Sequence, residues 1–373
     1  MGIKVLNGGL LTTVQDAGRR GYQRFGLGVS GAVDLQSYNY ANILVGNKED
    51  EAVLEATLLG PTLEFTSPTV IALTGGNLSP QLNHQPCPMY QALAVAAGDV
   101  LSFGSPQSGC RAYIAFAGGL DVPAVMGSRS TYLKAKLGGF EGRKLAPGDE
   151  IAFRESPAVP KNLSQRVMEA PQFNGSCTLR VLLGPQEERF TKEGIETFLS
   201  SAYTVSNEFD RMGCRLTGPK IAHVTDGNII TDGIGFGAIQ VPDGGEPIVM
   251  LSDRQTTGGY TKIASVISTD IPLIAQCKPG DTVRFVSTDI ETAQEAYLAQ
   301  QEKYRQLRQA LDPAPAPVKV DPAPEPVKEA PAAPAATPVA AASPDSAKPA
   351  GPGRKFKVSI DGEIFEVEVV GLD

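Results

Sequence analysis

A mainly β protein with a few helices, built as two related lobes of barrel or sandwich type, is the fold class this sequence predicts. Three observations carry it. Short runs of alternating apolar residues are punctuated throughout by turn formers, with 40 Gly and 29 Pro in 373 residues. A Gly-Asp turn entering a strand is spelled three times, as "AAGDVLSF", "APGDEIAF" and "KPGDTVRF". Other strings echo along the chain: "VSGAVD" at Val29–Asp34 and "VSNEFD" at Val205–Asp210, and "LLGP" at Leu58–Pro61 and "LTGP" at Leu216–Pro219. The echoes keep nearly the same order, so the lobes are placed at residues 1–155 and 175–287, with Pro157 and Pro160 in the connection.

In the first lobe, "TVIALTG" (69–75) and "CRAYIAFAGG" (110–119) read as strands. One helix is expected over Leu35–Val45, because Asp34 suits an N-cap, Leu35, Tyr38, Asn42 and Val45 share a face, and Gly46 follows. In the second lobe the strands are "LRVLLGP" (179–185), "AIQVP" (238–242) and "PIVMLSD" (247–253), with a helix over Glu187–Ser200. Residues 288–311 form a further helix, opened by a capping box at Thr288 and Glu291, with Ile290, Tyr297, Tyr304 and Leu311 seven residues apart. It docks on its own body or on another subunit. Residues 312–353 are a Pro/Ala-rich tether with too little apolar surface to offset chain entropy, so a disordered linker is expected. In residues 354–373, two alternating runs flank Asp361-Gly362, which is a hairpin signal.

Composition removes several function classes. A net charge of −8 argues against a nucleic-acid binder. No run of 18 apolar residues occurs, so no membrane span is expected. Five widely spaced cysteines without C-x-x-C suit reduced thiols in a cytoplasmic protein. The two histidines, His84 and His223, lack partners at ligand spacing, so no metal is expected. There is no P-loop and no nucleophile elbow. "GLGVSGAVD" (26–34) spells G-x-G-x-x-G, but the preceding "VQDAGRRGYQRF" is too charged for a central strand, and the echo at 205–210 drops every glycine. A dinucleotide loop is therefore rejected.

Several strings, "GLLTTVQDAGRRGYQRFGLGVSGAVDLQSYNYANILVGN", "LEATLLGP", "FDRMGCRLTGP", "GAIQVP" and "LSDRQTTGGYTKIA", resemble the allophanate hydrolase subunit 2 (KipA-like) family over nearly all of residues 1–287. That family includes the C subunit of ATP-dependent 5-oxoprolinase and the carboxyltransferase part of urea carboxylase. The resemblance implies paired cyclophilin-like β-barrel lobes working beside a KipI-like subunit, with a LamB/YcsF-like subunit or a biotin-carrier protein as further partners. It implies ATP at a composite site or on a partner. Cys214 and Thr261 depart from the family's aromatic and proline, which bears on the pocket wall. The C-terminal hairpin resembles the opening strands of biotin-carrier domains, without the attachment lysine, so biotin would come only on a separate carrier. Three roles stay open: a 5-oxoprolinase component, a carboxyltransferase component, and a regulatory binder of a KipI-like protein.

The densest polar string is Asp253–Tyr260, after an apolar strand. Asp253 offers a base if its pKa is raised, or else a capping or salt-bridging carboxylate. Thr257 joins it as a catalytic candidate. Arg254, Gln255 and Thr256 supply donors and acceptors for a planar amide or carboxylate, Gly258 and Gly259 would let backbone N–H groups reach an anion, and Tyr260 closes the set. Gln240, Arg211 and Thr74 are assigned to substrate binding. Arg143, beside Lys144 on a Gly-rich loop, is either an anion clamp or a solvated residue. Ser30 with Asp34, and Ser206 with Asp210, read as local capping pairs.

Overall fold

A computed structural model describes residues 1–156, 159–160 and 162–312, and the backbone of 354–360 and 363–369. The chain divides into two units, Met1–Ala316 and Pro317–Asp373. The fold is mainly β.

In the first unit, strands from Gly2 to Ala152 make two antiparallel sheets, of six and five strands. Ile3, Val5, Leu63, Phe65 and Leu101 of one meet Val14, Leu54, Ile71, Ile114 and Phe116 of the other in a closed core. The strands Val53–Thr57, Thr69–Asn77 and Ser108–Phe116 are buried on both faces, because helix α1 (Leu35–Val45) covers the outer face of their sheet through Tyr38, Ala41, Leu44 and Val45. That is why these strands read as continuous apolar runs. Asp34 caps α1 by accepting from the Ser37 N–H at 2.9 Å, and Gly46 ends it in the left-handed region, as expected.

Strands from Ser176 to Ser287 form a ring. Ser176–Leu183 pairs with Thr282–Ser287 on one side and Thr257–Val266 on the other, closing seven strands around one core. An eighth strand, Asn228–Gly233, pairs antiparallel with the first residues of Thr257–Val266 outside the ring. Helix α2 runs Lys192–Ser200 under a Thr191 cap, shorter than the expected Glu187–Ser200, where 187–189 is a separate single turn. A short helix α3 (Ile271–Ala275) was not anticipated.

The three Gly-Asp turns have the same geometry. The amide three residues ahead donates to the aspartate: Ala96 to Asp99 at 2.7 Å, Ala146 to Asp149 at 2.8 Å, and Lys278 to Asp281 at 3.0 Å. The intervening glycine takes a positive φ each time, which only glycine adopts cheaply. Its N–H bonds the adjacent strand at Phe65, Val5 and Val205. The "VSxxxD" echo, in contrast, is one of spelling only. Asp34 caps a helix, whereas Asp210 closes a turn by accepting from Met212 and Gly213.

Helix α4 (Ile290–Leu311) is capped by Asp289, not Thr288, through the Thr292 N–H at 2.7 Å. Its C-terminal half docks on α1: Tyr304 packs edge-on against Tyr40, beside Leu307 and Leu311. Ile290 and Tyr297 remain 57% and 46% exposed, so the seven-residue repeat is only half used. A straight helix drifts away from a strict heptad. The buried Arg166 guanidinium fastens the far end, bonding the Leu311 carbonyl and the Asp312 carboxylate. No helix among the described residues is long and apolar enough to cross a membrane.

In the second unit, Arg354–Ile360 and Glu363–Val369 pair antiparallel, from Arg354 opposite Val369 to Ile360 opposite Glu363. The expected Asp361-Gly362 turn and the Pro/Ala tether lie outside the described residues.

Candidate functional site

The loop spelled "GLGVSGAVD" decides how the lobes meet. Gly31 lies against Gly18, whose Cα would sit 2.8 Å from any Cβ placed there. This lets the loop leave the first lobe and lie along the second, where the Ser30 N–H bonds the Ser252 carbonyl and the Ser252 hydroxyl bonds the Ala32 carbonyl. The strands around it are antiparallel, so the geometry needed to hold a dinucleotide is missing.

Arg211 and Asp253 come from neighbouring turns of the second lobe, tied by the Asp253 N–H to the Arg211 carbonyl. Arg211 is 3% exposed and Asp253 5%. The guanidinium forks onto Asp253 at 2.9 and 3.1 Å, reaches the Glu55 carboxylate of the first lobe, and donates to the Gly31 carbonyl at 2.7 Å. The Ser30 hydroxyl lies 2.8 Å from Asp253 and 2.6 Å from the Thr131 carbonyl. Glu55 also accepts from the Tyr113 hydroxyl and the Val33 N–H, and Tyr113 in turn accepts from the Asp34 N–H. Burial opposes the Arg211 charge, but Asp253 and Glu55 outweigh it and hold its pKa above the ordinary arginine value. Asp34 is pushed up by burial, against the bonds that Gln276 and Ser37 donate to it. Gln276 extends the contact: its amide nitrogen meets Asp34 and the Arg111 carbonyl, and its oxygen accepts from the Cys110 and Arg111 N–H groups.

Next to this network lies a cavity of about 270 Å³ between the lobes, lined by Ala17, Arg20, Gln23, Ser30, Phe236 and Arg254 among others. Arg254 is 7% exposed and sits over the Phe236 ring. Its Nε donates to the Ile234 carbonyl at 3.0 Å and its Nη1 to the Leu251 carbonyl at 3.2 Å. No carboxylate pairs with it among the described residues, and burial brings its pKa down to about 10. A desolvated cation with unused donors facing a cavity is chemically suited to receive an anion.

Residues 25–287 match the family described as carboxyltransferase domain, subdomain A and B. The chain belongs to that family. It is 38% identical over 305 residues to the C subunit of 5-oxoprolinase from Escherichia coli, spanning 82% of this chain and 97% of that one. The corresponding C subunit from Haemophilus influenzae is 31% identical, with 80% of this chain and 96% of that one covered. The crystal structure of the K. lactis urea amidolyase superposes with a TM-score of 0.77 at 33% identity over 82% of this chain; this chain spans only 20% of the amidolyase.

Within this family fold the remaining expected site residues are scattered. Gln255 and Thr256 follow Arg254 half-buried, but Thr257–Tyr260 are not a Gly-rich turn. They open the Thr257–Val266 strand, with Thr257 opposite Gly233 and Gly258 opposite Asp232, and Thr257 and Tyr260 are exposed. Gly258 and Gly259 thus lie in extended strand pairing and not in the turn expected of them. Gln240 is buried on the strand beside Lys262, and its amide nitrogen has no partner among the described residues. Thr74 is buried and spends its hydroxyl on the Ser37 carbonyl at 2.7 Å. Arg143 is bound in its own loop by Asp149 at 2.7 and 2.9 Å and by Glu141, with its side chain still 39% exposed. Ser30 bridges the lobes instead of capping, while Asp34 does cap. Cys214 and Thr261 are interior to the ring and do not line the interlobe cavity.

Sequence reasoning missed Glu55, Tyr113, Gln276, Arg20, Gln23 and Phe236. Glu55 carried a signal: an acid inside the apolar run "AVLEATLLG" must be paired if the strand is central. Lys262, 3% exposed and 2.7 Å from Asp232, was equally visible inside "TKIASV".

Proposed function

We propose that this chain is the C-type subunit of an ATP-dependent 5-oxoprolinase, acting with a KipI-like and a LamB/YcsF-like subunit to open 5-oxoproline to glutamate. The observation that carries this is the match to the E. coli C subunit, 38% identical and covered over 97% of its length, against 35% identity to the Lachancea kluyveri urea amidolyase, of which 17% is covered. The interlobe cavity adds chemical support, because its buried Arg254 suits a small acidic substrate.

In this role the chain holds and orients substrate in the interlobe cleft. Arg211, Asp253, Ser30 and Glu55 fix the two walls relative to each other, and Arg254 with Arg20 faces the bound molecule. The N-terminus of α1, which opens onto the same loop, is already capped by the Asp34 carboxylate. ATP is therefore assigned to the partner or to a site completed by it, and the cytoplasm is the expected compartment.

A second role has its own support. The antiparallel pair at 354–369 resembles the start of a biotin-carrier domain, and urea carboxylase relatives share the fold. Carboxyl transfer from biotin on a separate carrier is the alternative. Reconstitution with both partners separates the two: ATP- and 5-oxoproline-dependent glutamate formation supports the first. Activity that requires bicarbonate and a biotinylated carrier would replace it. A complex that forms but does neither would leave the chain as a regulatory binder of the KipI-like protein.

A further inference from the structure

We infer that the interlobe cavity is a carboxylate-binding site in which Arg254 makes the paired contact and Arg20 adds a second charge; this deepens the function proposed above and rests on the same cleft. Arginine carries five N–H donors in a planar fork. In Arg254 the Ile234 and Leu251 carbonyls occupy one donor on Nε and one on Nη1. The second donor of Nη1 and both donors of Nη2 have no partner among the described residues. A buried guanidinium in this state is costly unless an anion completes it. The other interlobe arginine at this loop shows the contrast: Arg211 has Asp253 and Glu55 as permanent counter-ions. Asp253, the acid adjacent in sequence to Arg254, is committed to Arg211 and Ser30, so the protein keeps its own carboxylate away from Arg254.

The walls of the cavity point to the size and shape of the anion. Phe236 lies under the guanidinium with the Cζ 5.4 Å from its centroid, leaving the edge of the fork free for two parallel N–H···O bonds. Arg20 is exposed, forms no ion pair among the described residues, and lines the same cavity. The exposed Gln23 side-chain amide adds a neutral donor and acceptor at the rim, suited to an amide N–H and C=O next to a carboxylate. A volume of about 270 Å³ admits a molecule of a few heavy atoms beyond the carboxylate and is below the usual range for drug-sized ligands. The occupant is a small carboxylate. It is either the acid group of an amide-bearing substrate or a one-carbon carboxyl unit such as bicarbonate.

The test is titration of the full chain by calorimetry with 5-oxoproline, with its neutral counterpart 2-pyrrolidinone, and with bicarbonate. The expected result is saturable binding of 5-oxoproline or of bicarbonate, at least about tenfold tighter for 5-oxoproline than for 2-pyrrolidinone if the substrate acid is the occupant. Bicarbonate binding alone assigns the site to the one-carbon unit. Arg254→Gln is expected to weaken the carboxylate at least about tenfold and Arg254→Lys less, since lysine keeps the charge but loses the fork. Arg20→Gln, at an exposed position, is expected to weaken it several-fold without affecting folding. The inference is overturned if neither carboxylate binds, if 2-pyrrolidinone binds as well as 5-oxoproline, or if a folded Arg254→Gln or Arg20→Gln chain titrates like wild type. These outcomes are separable from the function proposed above. A reconstituted complex that makes glutamate with Arg254→Gln at unchanged KM removes the site and leaves the function. A chain that binds carboxylates in a complex that makes no glutamate does the reverse.

Discussion

Arg211→Met is the most informative perturbation of the lobe contact. In the native protein one guanidinium sits between two buried carboxylates, Asp253 of its own lobe and Glu55 of the other, with side-chain exposures of 4%, 7% and 1%. Deleting one partner of a buried ion pair costs about 3–5 kcal/mol, chiefly because the remaining charge stays desolvated. Here two anions are stranded. Glu55 keeps the Tyr113 hydroxyl and the Val33 N–H, and Asp253 keeps Ser30, so each retains some neutral donors. The loss is therefore placed in the upper part of that range, about 4–5 kcal/mol. At roughly 2–4 °C per kcal/mol for larger domains, the melting temperature falls by about 8–20 °C. Calorimetric melts of the variant against wild type at neutral pH measure this loss. Adding Glu55→Gln and Asp253→Asn to Arg211→Met should recover about half the loss, since neutral amides are cheaper to bury. A single variant within about 1 kcal/mol of wild type would refute the claim that this triad locks the lobes.

Other perturbations probe separate parts of the structure. Asp34→Asn removes a carboxylate whose pKa burial raises. Because a raised folded pKa means stability lost as pH rises, urea melts should show the variant gaining on wild type between roughly pH 4 and pH 8, and a constant difference would contradict the buried charge. Tyr304→Ala empties the seat of α4 on α1 and should cost about 3–5 kcal/mol, with faster hydrogen exchange along Ile290–Leu311. Arg143→Gln loses a partly exposed pair that holds the Asp149 carboxyl below its usual range. Its cost should be under about 1 kcal/mol and should vanish in acid as Asp149 protonates, with carboxylate binding untouched.

Local residue chemistry alone determined much of this protein. Asp34 and Gly46 bracket α1 because a cap and a left-handed stop act within one turn of chain. The three Gly-Asp turns recur with one geometry because each is closed by bonds between near neighbours and one contact to the next strand. The alternating apolar runs became strands, and the family motifs were visible as strings. What sequence could not show was which partner each polar side chain would take from the other lobe. Asp253 and Arg254 are adjacent in sequence, and as residue types either could face a ligand. Only the arrival of Ser30, 223 positions away, and of Glu55 on the shared Arg211 commits the aspartate to a structural pair and leaves the arginine open to the cavity. Thr257–Tyr260 looked like a binding turn until Asn228–Gly233 paired with it as a strand. Capping and turn energies are short-ranged and are written in neighbouring residues. The fate of a buried charge depends on what surrounds it in space, and that is set only when the two lobes close on each other.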